Sequence, residues 1–249
     1  MTGDGAPIRL DHVSKRFGRF TVLDDVCLEM PEGRATVVLG RSGTGKSVML
    51  RHIVGLLAPD SGRVLVLGHD LARLSAPAVA AVRRQVGFLF QNAALFDSLT
   101  VGDNVAFPLR RHTRLPDEEM RARAEATLGL VGLARDYDKM PADLSGGMRK
   151  RAGLARAMVL DPSILLVDEP SAGLDPVTSG EIDDLLVRVK QEFGTTLVIV
   201  THNIPSARRI GDTLVFLHQG KVLERGSAEQ LERSPHDIVR QFLASESGG

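Results

Sequence analysis

The chain has 249 residues, enough to bury a sizeable core as one α/β domain or as a domain with an inserted lobe. Its 31 basic side chains balance 31 acidic ones, so no net field draws the whole surface to DNA, RNA or an anionic bilayer. No apolar run approaches the roughly 18–20 residues that cross a bilayer, and the opening MTGDGAPIRL lacks the apolar segment of a secretory signal, so a cytosolic chain is expected. The single Cys27 can form no internal disulfide, and in VLDDVCLEM it is expected to pack in the core.

In chain order, the first strong signal is a β-rich run, ATVVLG, ending at Gly40 and followed directly by GRSGTGKS. The octet fits a phosphate loop, G-x-x-x-x-G-K-[S/T], in which small residues let successive backbone N–H groups curl around phosphate oxygens and the next helix presents its positive end. In this pattern Lys46 reaches the β- and γ-phosphates and Ser47 ligates Mg²⁺. A glycine-rich turn with a chance lysine is the bland alternative. VGFLFQ then reads as a strand leaving at Gln91.

From about residue 92 to 160 the pattern turns mostly helical. LPDEEMRARAEATLGLVGL is the clearest case, with Pro116 and three acids opening a helix whose Met120, Ala124, Leu128 and Val131 share one face. We expect a helical lobe inserted in a mostly parallel α/β core. Within it, Ser145, Gly146 and Gly147 stand before a helix starting near Met148, and a hydroxyl, bare N–H groups and a helix N-terminus together make an anion site. A simple capped helix start is the alternative. The MRKR that follows, Met148 to Arg151, is expected to form a solvated face or a partner contact rather than a nucleic-acid site.

ILLVDE is a buried strand ending in two carboxylates. Strand tips of an open α/β sheet bind ligands, so Asp168 suits Mg²⁺ and Glu169 suits the attacking water as general base. DPVTSGEIDDLLVRVKQEFG carries an N-cap at Asp175, Pro176 in the first turn, an apolar stripe of Ile182, Leu185, Leu186, Val189 and Phe193, and a stop at Gly194. TTLVIVTH ends at His202. A hairpin is expected around Gln219-Gly220, and two short helices capped by Ser227 and Ser234 close the chain before a fraying SESGG.

Taken together, GRSGTGKS, Gln91, LSGGM, ILLVDE, SAGLD and His202 resemble, in order, the Walker A, Q-loop, signature, Walker B, D-loop and switch histidine of ATP-binding cassette (ABC) ATPases, and Phe17 matches the aromatic that stacks on adenine. The resemblance runs from about residue 8 to 226, with 227–249 as a C-terminal helical tail. It implies a P-loop NTPase core of mostly parallel sheet with an antiparallel β-subdomain and an inserted α-helical subdomain at about 92–160. It also implies ATP held by Phe17 and by Gly40, Arg41, Ser42, Gly43, Thr44, Gly45, Lys46, Ser47 and Val48, with Mg²⁺ at Ser47, Gln91 and Asp168. Lys46, Glu169 and His202 are the implied catalytic set. Two copies pair head to tail in that family, so Ser145, Gly146 and Gly147 of one chain would face the ATP on the partner's Lys46, and the helical lobe would dock on an integral membrane permease.

Longer segments, among them FQNAALFDSLTVGDNVAFPLR and LSGGMRKRAGLARA, are similar to the ATPases of Mla and mammalian-cell-entry (Mce) type lipid transporters. These sit on the cytoplasmic side of the bacterial inner membrane with a permease and an Mce-type lipid-binding protein, and in some members a STAS-domain protein. Met148 in place of the usual Gln after LSGG occurs in that branch, whereas Gly173 in the D-loop, Arg41 in the phosphate loop and Asn203 after His202 depart from the general ABC pattern. The alternative is a soluble ABC ATPase of protein or iron-sulfur assembly. A P-loop kinase leaves LSGG and His202 without a role.

Overall fold

The computed structural model describes residues 6–245. The chain opens with a hairpin, β1 (Ile8–Phe17) and β2 (Phe20–Met30), and enters the main sheet with β3 (Ala35–Leu39) before α1 (Lys46–Ile53). β4 (Ser61–Val66) and the short β5 (His69–Asp70) return to the hairpin, giving an antiparallel four-stranded sheet in the order β2-β1-β4-β5. After α2 (Ala76–Arg83) and β6 (Val86–Leu89) come three helices, α3 (Val101–His112), α4 (Asp117–Leu130) and α5 (Gly146–Met158). The remaining elements are β7 (Ile164–Asp168), α6 (Pro176–Phe193), β8 (Thr196–Thr201), α7 (Ile204–Ile210), the hairpin β9 (Thr213–His218) and β10 (Lys221–Gly226), and finally α8 (Ala228–Glu232) and α9 (Asp237–Ala244). The expected mixture of a mostly parallel sheet, an antiparallel sheet and helices between two core strands is therefore present.

Period-two alternation divides the core. Ala35, Val37 and Leu39 of β3, Leu165 and Val167 of β7, and Leu197 and Ile199 of β8 point to one face, where they join a cluster with α3 to α7. Their neighbours Val38, Ile164, Leu166, Val198 and Val200 point to the other, against α1 and the antiparallel sheet. Strands apolar on both faces belong in the middle of a parallel sheet, and the order β10-β9-β3-β8-β7-β6 places them there. The register pairs Leu39 with Thr201, Asp168 with Val200 and Leu89 with Val167. Four chain exits, at Gly40, Phe90, Glu169 and His202, thus lie along one edge of the sheet.

Local signals set several boundaries. Asp175 accepts from the N–H groups of Val177 and Thr178, and Gly194 ends α6 with φ 64°, the left-handed conformation that glycine adopts without penalty. Gln219 and Gly220, with φ 48° and 77°, make the tight turn of the β9–β10 hairpin. Met120, Ala124, Leu128 and Val131 are buried on one side of the α4 region.

Four expectations need correction. Cys27 is exposed, because strand alternation buries its neighbours Val26 and Leu28, and its Sγ accepts the His12 N–H at 3.4 Å. Phe193 is 53% exposed, since it lies in the last turn of α6, past the end of the packed stripe. Ser234 does not cap a helix directly: α9 starts three residues later, and the Ser234 hydroxyl donates to Glu224 at 2.8 Å. Lys150 of MRKR points inward and is 6% exposed instead of lying on a solvated face. The fraying expected of SESGG concerns residues 246–249, which lie outside the described residues, apart from Ser245.

One buried amide organises the entry to the helices. Asn104, fully buried in α3, accepts the Phe96 N–H at 2.8 Å and donates to the carbonyls of Phe96, Leu99 and Thr100 at 3.0–3.2 Å. Asn104→Ala strands these groups, and at about 1–3 kcal/mol for unsatisfied buried polar groups it is expected to lower Tm by roughly 2–12 °C. Thermal denaturation followed by circular dichroism measures this directly, and an unchanged Tm contradicts the assignment.

Candidate active site

The edge of the parallel sheet opens into a cavity of about 490 Å³. Of the residues expected at a nucleotide site, Arg41, Ser42, Gly43, Gly45, Lys46, Ser47, Val48, Gln91, Glu169 and His202 line it. Gly40 and Thr44 complete the loop behind this surface. A side chain at Gly40 would approach the Leu217 carbonyl oxygen to 2.4 Å, and one at Gly45 the Val22 carbonyl oxygen to 2.6 Å, so at these two positions the loop lies too close to neighbouring backbone for any other residue.

Lys46 begins α1 and folds back under the loop. Its Nζ donates to the carbonyls of Gly40 at 2.7 Å and Arg41 at 3.1 Å, and lies 3.6 Å from Glu169 Oε1. Burial pushes the ammonium below its ordinary pKa, and the negative charge of Glu169 partly opposes this. Ser47 Oγ donates to Asp168 Oδ1 at 2.9 Å. Burial raises the pKa of Asp168, against the lowering effect of that hydrogen bond.

The strand ends at Asp168, one residue sooner than the apolar run implies, because Glu169 turns left-handed with φ 48°. Such a conformation costs a non-glycine residue about 1–2 kcal/mol. It leaves the Glu169 N–H bonded to Val200 O at 2.9 Å while the side chain swings toward β8. There Oε2 accepts from Thr201 Oγ1 at 3.2 Å and from the His202 N–H at 3.4 Å, with His202 Nδ1 at 3.0 Å. The two consecutive carboxylates are thus separated, one toward the Ser47 hydroxyl and one toward Lys46 and His202.

Other expected residues stand apart. Phe17, at the end of β1, is 48% exposed and does not line the cavity. Ser145, Gly146 and Gly147 also lie outside it, at the start of α5, where Ser145 Oγ accepts the Met148 N–H at 3.2 Å. Asn203 caps α7 by accepting the Ser206 N–H at 2.9 Å, which accounts for an amide at that position. The sequence reading missed Val22 of β2 and Phe242 and Ser245 from the chain's end, all of which line the cavity. Phe242 packs edge-on against Phe216 with ring centroids 5.1 Å apart, a long-range contact without a local sequence signal.

The ABC transporter family profile matches residues 23–172. The chain belongs to the ABC transporter family. It is 44% identical to the probable ribonucleotide transport ATP-binding protein mkl of Mycobacterium leprae over 96% of this chain and 69% of that protein. It is 40% identical to the intermembrane phospholipid transport system ATP-binding protein MlaF of Escherichia coli over 93% of this chain and 86% of that protein. Among solved structures, the ATP-binding cassette MJ0796, dimeric in a post-hydrolysis state with ADP and phosphate, superposes with a TM-score of 0.82 at 35% identity, covering 88% of this chain and 98% of that one. The cassette described above is accordingly an ATP-binding, ATP-hydrolysing subunit.

The raised pKa of Asp168 has a sign that can be tested. In the folded chain it keeps its proton at pH values where the unfolded chain has lost it, so its contribution to stability falls as pH rises from about 3.8 through the folded pKa. Asp168→Asn, which mimics the neutral form, is expected to raise the Tm of the nucleotide-free protein at pH 7. The gain should vanish as the pH approaches the ordinary carboxylate value. A lower Tm for the variant at pH 7 would show that the buried carboxylate is stabilising.

Proposed function

We propose that this chain is the ATPase subunit of a bacterial lipid transporter of the Mla and Mce type, in which two copies enclose ATP and drive an integral permease of the inner membrane. The observation that carries the reading is the 40% identity to a phospholipid transport ATPase across nearly the whole chain, combined with a cavity lined by the phosphate loop, Gln91, Glu169 and His202. The relative named for ribonucleotide transport differs in its stated cargo, and an ATPase subunit need not touch the cargo.

In this reading the N–H groups of residues 41–48 and the Lys46 ammonium, which the Gly40 and Arg41 carbonyls hold beneath the loop, take the β- and γ-phosphates. Ser47 and Asp168 offer hard oxygen donors 2.9 Å apart, which suits Mg²⁺, with Gln91 nearby on the cavity wall. When bound, the ion neutralises charge that builds on the phosphate oxygens. Glu169 takes the proton of the attacking water, and His202, 3.0 Å from its carboxylate, holds that side chain and faces the transferred phosphate. Phe17 stacks on the adenine. Ser145, Gly146 and Gly147 face the second chain's nucleotide, which is consistent with their place outside this chain's own cavity and with the dimeric form of the solved relative.

We assign the cassette to residues 8–226, with 92–160 as the lobe that meets the permease and 227–249 as a tail. A second cavity, of about 540 Å³, supports that assignment. Phe90, Phe96 and Phe107, each about two-fifths exposed, line it together with Arg83, Arg84 and Arg156. An aromatic groove with a cationic rim suits an amphipathic helix carrying acidic residues. Among the described residues no helix is long and apolar enough to cross a membrane. A STAS-domain protein and an Mce-type lipid-binding protein complete the proposed assembly.

Purification from native membranes in mild detergent, with mass spectrometry of proteins and lipids, tests the reading. A multi-spanning permease, an Mce-type protein and bound phospholipid are expected. Phe107→Asp in the groove should remove the permease while leaving ATP affinity within about twofold. Recovery of soluble assembly factors alone would overturn the transporter reading.

A further inference from the structure

The helix that begins at Ser145 does more than present its first turn. Five residues on, about 7.5 Å along the axis, Lys150 turns into the protein and is 6% exposed. Its Nζ donates to the carbonyl oxygen of Gln91, in the loop after β6, and to the carbonyl oxygen of Glu169 at 3.0 Å. One ammonium thus bridges the backbones of two loops that leave the sheet at different strands. An ammonium has three donors and no acceptor, and a carbonyl in a low-dielectric setting binds it more strongly than it binds a neutral donor.

Both loops need such a hold. Glu169 is left-handed, and its carbonyl also takes the Ala172 N–H at 3.2 Å. On the other side Ala93 and Ala94 are left-handed as well, with φ 58° and 50°. The same helix holds them: Arg156 donates to the carbonyls of Ala93 and Ala94 at 2.7 Å each, and a side chain at Gly153 would come within 2.9 Å of the Ala93 Cβ. Lys150, Gly153 and Arg156 therefore form one face of α5 that grips the backbone of residues 91–94. Of the three, Lys150 also reaches the glutamate that faces the reacting water.

We propose that Lys150 is a positioning residue for ATP hydrolysis, fixing the carbonyls of Gln91 and Glu169 to the helix whose N-terminus meets the second chain's nucleotide. The proposal rests on the reading of Glu169 as the base and deepens it. Engagement of Ser145 by the partner's ATP moves α5 as a rigid rod. Lys150 converts that movement into a placement of Glu169 in the same chain, and Gln91 links it to the aromatic groove through its neighbour Phe90. Each site thereby reads the occupancy of the other without a side chain crossing between them.

The test compares the wild-type complex, purified with its permease, with Lys150→Met and Lys150→Arg, measuring ATPase turnover and the affinity of a fluorescent ATP analogue in parallel. Methionine keeps the length and fills the space without a charge. Arginine restores charge and donors. Lys150→Met is expected to lower kcat by about tenfold to a hundredfold, the usual scale for a misplaced catalytic group, with KM for ATP and analogue affinity within about twofold, and Lys150→Arg should recover much of kcat. Unchanged kcat in Lys150→Met overturns the proposal. So does a parallel loss of kcat and affinity without rescue by arginine, which marks a structural role only. Wild-type turnover in Glu169→Gln would instead overturn the underlying reading of Glu169 as the base, and the proposal with it.

Discussion

The structure depends on one desolvated cation. Lys46 is buried beneath the phosphate loop with two backbone carbonyls and the Glu169 carboxylate around it, and burial alone disfavours its charge. The Glu169 carboxylate only partly offsets that penalty. Around it the charged and polar groups are tied to one another: Lys46 to the loop carbonyls, Ser47 to Asp168, and Glu169 to Thr201 and His202. Charged groups held at fixed positions in a low-dielectric cavity are the arrangement that electrostatic catalysis needs.

The parallel sheet makes that arrangement possible. Because four strands run the same way in register, their ends deliver Gly40, Gln91, Glu169 and His202 to one edge from segments far apart in the chain. The backbone then departs from regular geometry where the chemistry requires it. Glu169 and the pair Ala93 and Ala94 are left-handed, and α5 offsets the strain with the cations of Lys150 and Arg156 on their carbonyls. The basic residues after LSGG thus serve the interior as much as any partner. Arg149 also turns back onto the Leu144 carbonyl, at 2.7 Å.

Most of this site was legible in the sequence because it is built from contiguous runs. GRSGTGKS, ILLVDE and LVIVTH each combine a strand with the group at its tip, so element and function are read together. Asp175, Pro176 and Gly194 marked α6 for the same reason, since caps are local chemistry. What escaped was mostly long-range, with one local exception. Cys27 looked apolar by its neighbours, but alternation on β2 turned it outward. Lys150 looked solvated by composition, but its partners are 59 and 19 residues away. Phe242 reaches the nucleotide cavity only because α9 folds back on β9, and no local pattern encodes that return. Ser234 carried a plausible cap signature, yet its hydroxyl is committed to Glu224 on β10.

The most direct measurement of the central claim is the mass and nucleotide content of Glu169→Gln in saturating MgATP, by analytical ultracentrifugation with quantification of bound ATP and released phosphate. A stable dimer that holds two unhydrolysed ATP molecules is expected from a shared site with Glu169 as base, and a monomer when Ser145→Arg is added. Hydrolysis at the wild-type rate, or a dimer indifferent to Ser145→Arg, would contradict it.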